Sequence, residues 1–216
     1  MKKLVLLSDQ IMNKTEKIDN ELIKILNKSN PKIAYIPSAS DKSRKYYNLK
    51  TEYYNKLGIN DIMYFDLDEE YNESNIDELL KCDAIHLSGG DTVNFQKNIK
   101  KRNFDKILYE FVEKGGILIG ISAGAILMSH DIDVILIGEE AKYSMTDTSG
   151  IGMVEFDIMP HWGENNYSLE DLISYSKRKK RMVYLCKDGD GIIVDDNEIK
   201  IIGNVIQILN GEILNK

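Results

Sequence analysis

The chain is predicted to fold as an α/β protein on a mostly parallel sheet, and three observations carry that prediction. Up to about residue 130, short unbroken apolar runs alternate with amphipathic stretches. Strands that read as continuous apolar runs are buried on both faces, as in a parallel sheet covered by helices on either side. After about residue 130 the rhythm shortens, and turn pairs (Asp188-Gly189, Asp190-Gly191, Asp196-Asn197, Asn210-Gly211) separate closely spaced strands. That is hairpin chemistry, so the last third is expected to add antiparallel strands to the same sheet. No linker or internal repeat divides the 216 residues, and one domain over 1–216 is the expected organisation.

Residues 4–7 form the first predicted strand, and Leu22, Ile23, Ile25 and Leu26 mark a helix over 20–27. A second strand over 32–36 stops at Pro37, and a polar helix with a tyrosine stripe (Tyr46, Tyr47, Tyr53, Tyr54) follows. That stripe suits an ordinary surface helix better than a lid or an interface. Next come a strand over 61–65, a helical turn over 76–81 and a strand over 84–87 that ends at Ser88-Gly89-Gly90. Helices over 93–101 and 104–114 precede an apolar strand over 117–119. The later strands are expected at 134–137, 154–159, 182–186, 192–194, 199–202 and 205–209.

Bulk properties narrow the function. A formal charge of −7 argues against nucleic acid as a main partner, because a phosphate backbone would be repelled. The one basic run, residues 177–181, reads as a solvated helix end that complements the helix dipole. Cys82 and Cys186 make no disulfide framework and no Cys-x-x-Cys metal pair. The apolar run at 4–7 is shorter than the roughly seven residues of a secretory core, and no segment approaches the ~18 apolar residues of a membrane span. A reduced cytoplasmic protein without a membrane partner is expected.

The sharpest local signal is Gly120-Ile121-Ser122-Ala123-Gly124, with an apolar strand running in and Ala125-Ile126-Leu127-Met128 running out as a helix. The bare Gly-x-Ser-x-Gly pattern should occur by chance in roughly one chain in ten of this length. In a strand–turn–helix setting it becomes a candidate nucleophile turn. The serine is forced into strained dihedrals above the sheet, glycines keep the neighbours clear, and the helix N-terminus favours a developing oxyanion. A glycine turn that only packs a helix on a sheet is the plainer reading.

A serine nucleophile needs a base, and the chain has three histidines. His130 lies eight residues beyond Ser122, about 12 Å down a continuing helix. His86 sits inside a strand and reads as a core histidine. His161, in the loop Pro160-His161-Trp162-Gly163 after a strand, is the base by elimination. The second glycine cluster, Ser88-Gly89-Gly90-Asp91-Thr92, can present backbone N–H groups to an anion but lacks the Lys-Ser/Thr pair of a phosphate loop. It fits better as part of an oxyanion hole.

Four segments occur in order: YIPSAS at 35–40, IHLSGGDTVNF at 85–95, GISAGAI at 120–126 and MPHW at 159–162. Together they resemble the peptidase E family of serine peptidases, which includes α-aspartyl dipeptidase and cyanophycinase, over about residues 3–203. The resemblance implies a flavodoxin-like three-layer α/β/α sandwich similar to class I glutamine amidotransferases. It implies Ser122 as nucleophile, His161 as base and the N–H groups of Gly90 and Ala123 as oxyanion donors. The triad acid it implies is Asp188, after the late strand, with Asp131 or Asp133 as the alternative.

Two features depart from the family pattern. Asp91 stands where asparagine is common, and residues 172–176 hold no arginine where the aspartyl dipeptidases place one. Strict aspartyl specificity is therefore not implied. The expected activity is hydrolysis of a small peptide or amide bond through a Ser-His-Asp triad, with no metal or organic cofactor, in a monomer or homodimer. An esterase or amidase acting on a non-peptide metabolite, and a non-catalytic binding relative, are the alternatives.

Overall fold

A computed structural model describes residues 1–137, 146–164 and 167–215. Its principal sheet has seven strands: β1 (Lys3–Leu7), β2 (Lys32–Ile36), β3 (Asp61–Tyr64), β4 (Ala84–Leu87), β5 (Ile117–Ile121), β8 (Gly191–Asp195) and β9 (Glu198–Ile202). Their order is β3-β2-β4-β5-β1-β8-β9. All pairings from β3 to β1 are parallel, whereas β8 runs antiparallel to β1 and β9 antiparallel to β8. The run β3-β2-β4-β5 follows the flavodoxin-like order, and β1 fills the fifth place.

Alternation along the strands sends side chains to two cores. Val5, Leu7, Ile33 and Ile119 face helices α1 (Glu16–Leu26) and α2 (Lys45–Lys56). Ile18, Leu22 and Leu26, four residues apart, put one stripe of α1 on that face, and each fully buried aliphatic side chain contributes about 1.5–3 kcal/mol. Leu4, Leu6, Ile85 and Leu118 face the other way, toward α3 (Ile76–Leu79), α4 (Thr92–Lys101), α5 (Phe104–Glu113) and α6 (Ala123–Leu127). The result is a three-layer α/β/α sandwich.

Several details depart from the sequence expectation. Helix α1 starts four residues earlier than expected. The run at 134–137 is not a strand: Asp133–Leu136 form a 3₁₀ turn, with Asp133 tied to Tyr175 and Lys179. Only β8 and β9 extend the principal sheet. β6 (Phe156–Met159), β7 (Met182–Leu185), β10 (Ile206–Leu209) and β11 (Glu212–Asn215) build a second sheet in the order β11-β10-β7-β6. The strand after Asn210-Gly211 was not expected. Both residues take positive φ (53° and 83°), and that turn closes the β10–β11 hairpin. Asp188-Gly189, by contrast, is no hairpin turn, because β7 and β8 belong to different sheets.

Helix α7 (Leu169–Lys179) starts at Ser168, whose side chain accepts from the Asp171 amide, and packs Leu172 and Tyr175 inward. Its basic end is not simply solvated. Arg181 pairs with Asp131 at 2.5 Å and Lys179 with Asp133 at 2.5 Å. Beside them Asp157 is fully buried, and among the described residues it meets the Tyr175 hydroxyl at 3.1 Å and Arg181 at 3.6 Å. No described helix is long and apolar enough to cross a membrane.

Burial pushes the Asp157 carboxyl up to about 6. A carboxyl whose folded value is raised stabilises the fold below its ordinary range, and that stabilisation is lost as pH rises through about 6. Asp157→Asn cannot ionise. Its melting temperature relative to the parent protein is expected to climb from about pH 4 to about pH 6 and to level off above about pH 7, which thermal melts across that range will check.

Candidate active site

The carboxyl ends of β1, β4 and β5 lie side by side at one edge of the sheet. Ser122 directly follows β5 with φ 48° and ψ −106°, a conformation that L-residues rarely adopt. The turn is held by close backbone packing. A Cβ on Gly120 would lie 2.7 Å from the Gly124 carbonyl oxygen, and one on Gly124 only 2.2 Å from the Leu87 carbonyl oxygen. The Ser122 amide donates to the Leu7 carbonyl (2.9 Å) and the Gly124 amide to the Ser88 carbonyl (3.1 Å), so the turn is stitched to both neighbouring strands. Helix α6 is only five residues long, so what it offers the site is a local N–H group rather than a long helix's dipole.

His161 lies after β6, also at positive φ (57°). Two backbone bonds fix its loop to the Asp188 loop: the Cys186 amide donates to Met159 (2.9 Å) and the Trp162 amide to Cys186 (3.0 Å). These loops bring three side chains into line. Ser122 Oγ is 2.9 Å from His161 Nε2, and His161 Nδ1 is 2.7 Å from Asp188 Oδ1. The Asp188 side chain is 8% exposed and that of His161 29%, so the carboxylate is enclosed while the imidazole keeps a face toward the cleft.

The Gly90 and Ala123 amides donate to no protein acceptor among the described residues. Gly90 requires its glycine: φ is +127°, and a Cβ would sit 2.2 Å from Ser38 Oγ. Asp91 caps α4 by accepting from the Asn94 amide at 2.9 Å, so its carboxylate is engaged by a helix N-terminus.

The other sequence candidates do not join this hydrogen-bonded chain. Because α6 ends at Leu127, His130 is not on a continuing helix, and it pairs with Glu155 at 2.9 Å. Asp131 and Asp133 are occupied by Arg181, Lys179 and Tyr175. His86 is buried, with Nδ1 2.7 Å from the Tyr54 hydroxyl. Burial, reinforced by the charge of Lys50, holds its imidazole well below the ordinary range, so it is neutral.

A cavity of about 640 Å³ opens beside Ser122 and His161, with Tyr46, Leu49, Lys50 and His86 in its walls. The tyrosine helix α2 thus walls this cavity with Tyr46 while burying Tyr53 and Tyr54. Burial lowers the Lys50 ammonium to about 8, and its Nζ donates to Gln10 Oε1 at 3.0 Å. A second cleft of about 410 Å³ flanks Ser122 on the side of Thr92, Pro160 and Tyr167. His161, Asp188 and the exposed Glu164 could in principle share a cation, but His161 and Asp188 are already bonded to each other. Sequence reasoning missed Ser8, whose hydroxyl lies within hydrogen-bond distance of both the His161 amide and Asp188. The signal available was a small polar residue directly after a central strand, at the edge where open α/β sheets collect their sites.

The sequence model of peptidase family S51 matches residues 4–202. An uncharacterized peptidase of Listeria innocua, Lin0382, is 25% identical over 189 residues, covering 83% of this chain and 86% of that protein. Lmo0363 of Listeria monocytogenes, also named an uncharacterized peptidase, is 26% identical over 125 residues. That match covers 56% of this chain and 61% of the relative's length. Among solved structures, a peptidase from an acI-B1 Actinobacterium superposes with a TM-score of 0.75 at 18% identity, covering 100% of this chain and 97% of that one. A Listeria monocytogenes EGD-e protein described as a candidate peptidase E gives 0.75 at 21%, covering 94% and 99%. At such identities the two structures speak for the α/β fold.

Gly124→Ala forces a methyl group against the fixed Leu87 carbonyl. It is expected to cost about 1–3 kcal/mol, read as a melting temperature several degrees below that of the parent protein.

Proposed function

This chain belongs to peptidase family S51, the peptidase E family, and from that premise we propose that it cleaves a small peptide or amide bond through an acyl-enzyme on Ser122. Family membership makes it a serine-type peptidase, a hydrolase. The observation that carries the finer reading is the unbroken chain Ser122 Oγ, His161 Nε2, His161 Nδ1, Asp188 Oδ1, with links of 2.9 and 2.7 Å.

In this reading His161 Nδ1–H donates to Asp188, which leaves Nε2 unprotonated and aimed at the serine hydroxyl. As Oγ attacks the carbonyl carbon, its proton passes to Nε2, and the carbonyl oxygen gains charge between the free amides of Gly90 and Ala123. Nε2–H then protonates the leaving amine. A water molecule follows the same path to the acyl ester: its proton goes to Nε2, and the serine oxygen takes it back on release of the acid. The two clefts on either side of Ser122 supply room for the acyl and leaving portions of the substrate.

Ser122→Ala is expected to leave the fold intact and to lower turnover about 10⁴-fold or more, measured as amine released from a dipeptide library. Hydrolysis at near-parental rate by this variant excludes Ser122 as nucleophile. His161→Ala and Asp188→Asn should each remove nearly all activity, the latter by up to ~10⁴-fold, while folded His86→Ala and Asp131→Asn variants keep most of it. A deep loss in Asp131→Asn with a mild one in Asp188→Asn would transfer the acid's role to Asp131.

A further inference from the structure

Ser8 is the first residue after β1 and is fully buried. Its hydroxyl meets two parts of the candidate site that come from different loops. The His161 backbone amide lies 2.7 Å from Ser8 Oγ, and Ser8 Oγ lies 2.9 Å from Asp188 Oδ1. Proton counting fixes the direction of both bonds. An amide N–H can only donate, so Oγ accepts from His161, and the single hydroxyl proton is left for the carboxylate. The same Asp188 oxygen accepts from His161 Nδ1, so the three groups close a small ring: His161 amide, Ser8 Oγ, Asp188 Oδ1, His161 imidazole.

We propose that Ser8 is a positioning residue that sets the angle between the Asp188 carboxylate and the His161 ring. The proposal rests on the reading of Ser122, His161 and Asp188 as the reactive chain. His161 needs such a device. Its backbone sits at φ 57°, an uphill conformation for a histidine, and its amide would otherwise be a partly buried donor without an acceptor. Asp188 is equally dependent. It sits on a crossing between two sheets, and the Ser8 hydroxyl is what ties its side chain to the principal one. The anchor itself does not yield, because the Ser8 amide donates to the Asp190 carbonyl at 3.2 Å and β1 is paired on both sides.

The test needs no knowledge of the substrate. The probe is an alkyl fluorophosphonate, and the readout is the second-order rate of Ser122 phosphonylation followed by intact mass. In that reaction Oγ forms the bond to phosphorus, fluoride leaves, and the hydroxyl proton passes to the base. Ser8→Ala is expected to slow phosphonylation about 10- to 100-fold, as for loss of a hydrogen bond to a charged group, with a melting temperature within a few degrees of the parent. Ser8→Thr, which keeps the hydroxyl, should recover most of the rate. In an Asp188→Ala background the same Ser8→Ala change should slow the reaction by less than about threefold, since residues acting as a unit are not additive.

Parental reactivity in Ser8→Ala, or equal losses from that change with and without Asp188, would overturn the positioning role. If Ser8→Ala does not fold, Ser8→Cys is read in its place, with an intermediate loss expected and parental reactivity overturning the proposal. Parental reactivity in Asp188→Ala alone would instead bring down the underlying assignment, and the proposal with it.

Discussion

The hydrogen bond from the Ser122 amide to the Leu7 carbonyl is the constraint around which the site is arranged. It extends the β5–β1 ladder one step past the end of β5, at the residue whose backbone turns sharply into α6. An uphill φ/ψ persists only where its surroundings over-determine it. Here they do: Leu7 holds the amide on one side, the Gly124 amide grips Ser88 on the other, and two glycines leave no room for the turn to relax outward. Strand β1 is also where the sheet changes from parallel to antiparallel, so its carboxyl end faces the start of β8 and the Asp188 loop preceding it.

The second sheet has a complementary role. It contributes no strand to the principal sheet, yet the loop after β6 carries His161 and the loop after β7 carries Asp188. Parallel pairing of β6 with β7 lets both loops leave at the same end, where two backbone bonds lock them together. The acidic and basic residues around Tyr175 lie where α7 meets this sheet and the 3₁₀ turn. There they neutralise one another, tying α7 and the 3₁₀ turn to the sheet. Among the described residues, the charged side chains around Ser122 are Asp188, bonded to His161, Asp9, Asp41 and Lys50 in the wall of the larger cavity, and Asp91 in that of the smaller one.

Much of this was legible in the sequence, and the reasons are local. The glycines around Ser122 and the apolar strand before it encode the strained turn in consecutive residues, and Pro160-His161 after an apolar run marks a strand end. The central strands are legible because each is an unbroken apolar run. What escaped was whatever depends on a partner distant in sequence. The run at 134–137 has strand-like composition but finds no strand beside it among the described residues, and Asp133 anchors it as a turn. The division of the C-terminal strands between two sheets follows from which strands they meet, and a turn pair such as Asp188-Gly189 looks the same in a hairpin and in a crossing. Ser8 was missed for the same reason: a serine after a strand marks the sheet edge, but its partners lie more than 150 residues away.

The separations along the chain bear on how the protein comes into being. Ser8 and Asp188 are 180 residues apart, Ser8 and His161 153, and Ser122 and His161 39. Contacts this distant close late, because long loops must be ordered before they are rewarded. During synthesis β1, whose Leu7 carbonyl holds the Ser122 amide, emerges early and waits for its antiparallel neighbour until residues 191–195 have left the ribosome. A chain cut short before residue 188 lacks the carboxylate that His161 Nδ1 meets, so the line from Ser122 through His161 to Asp188 can close only once that residue has left the ribosome.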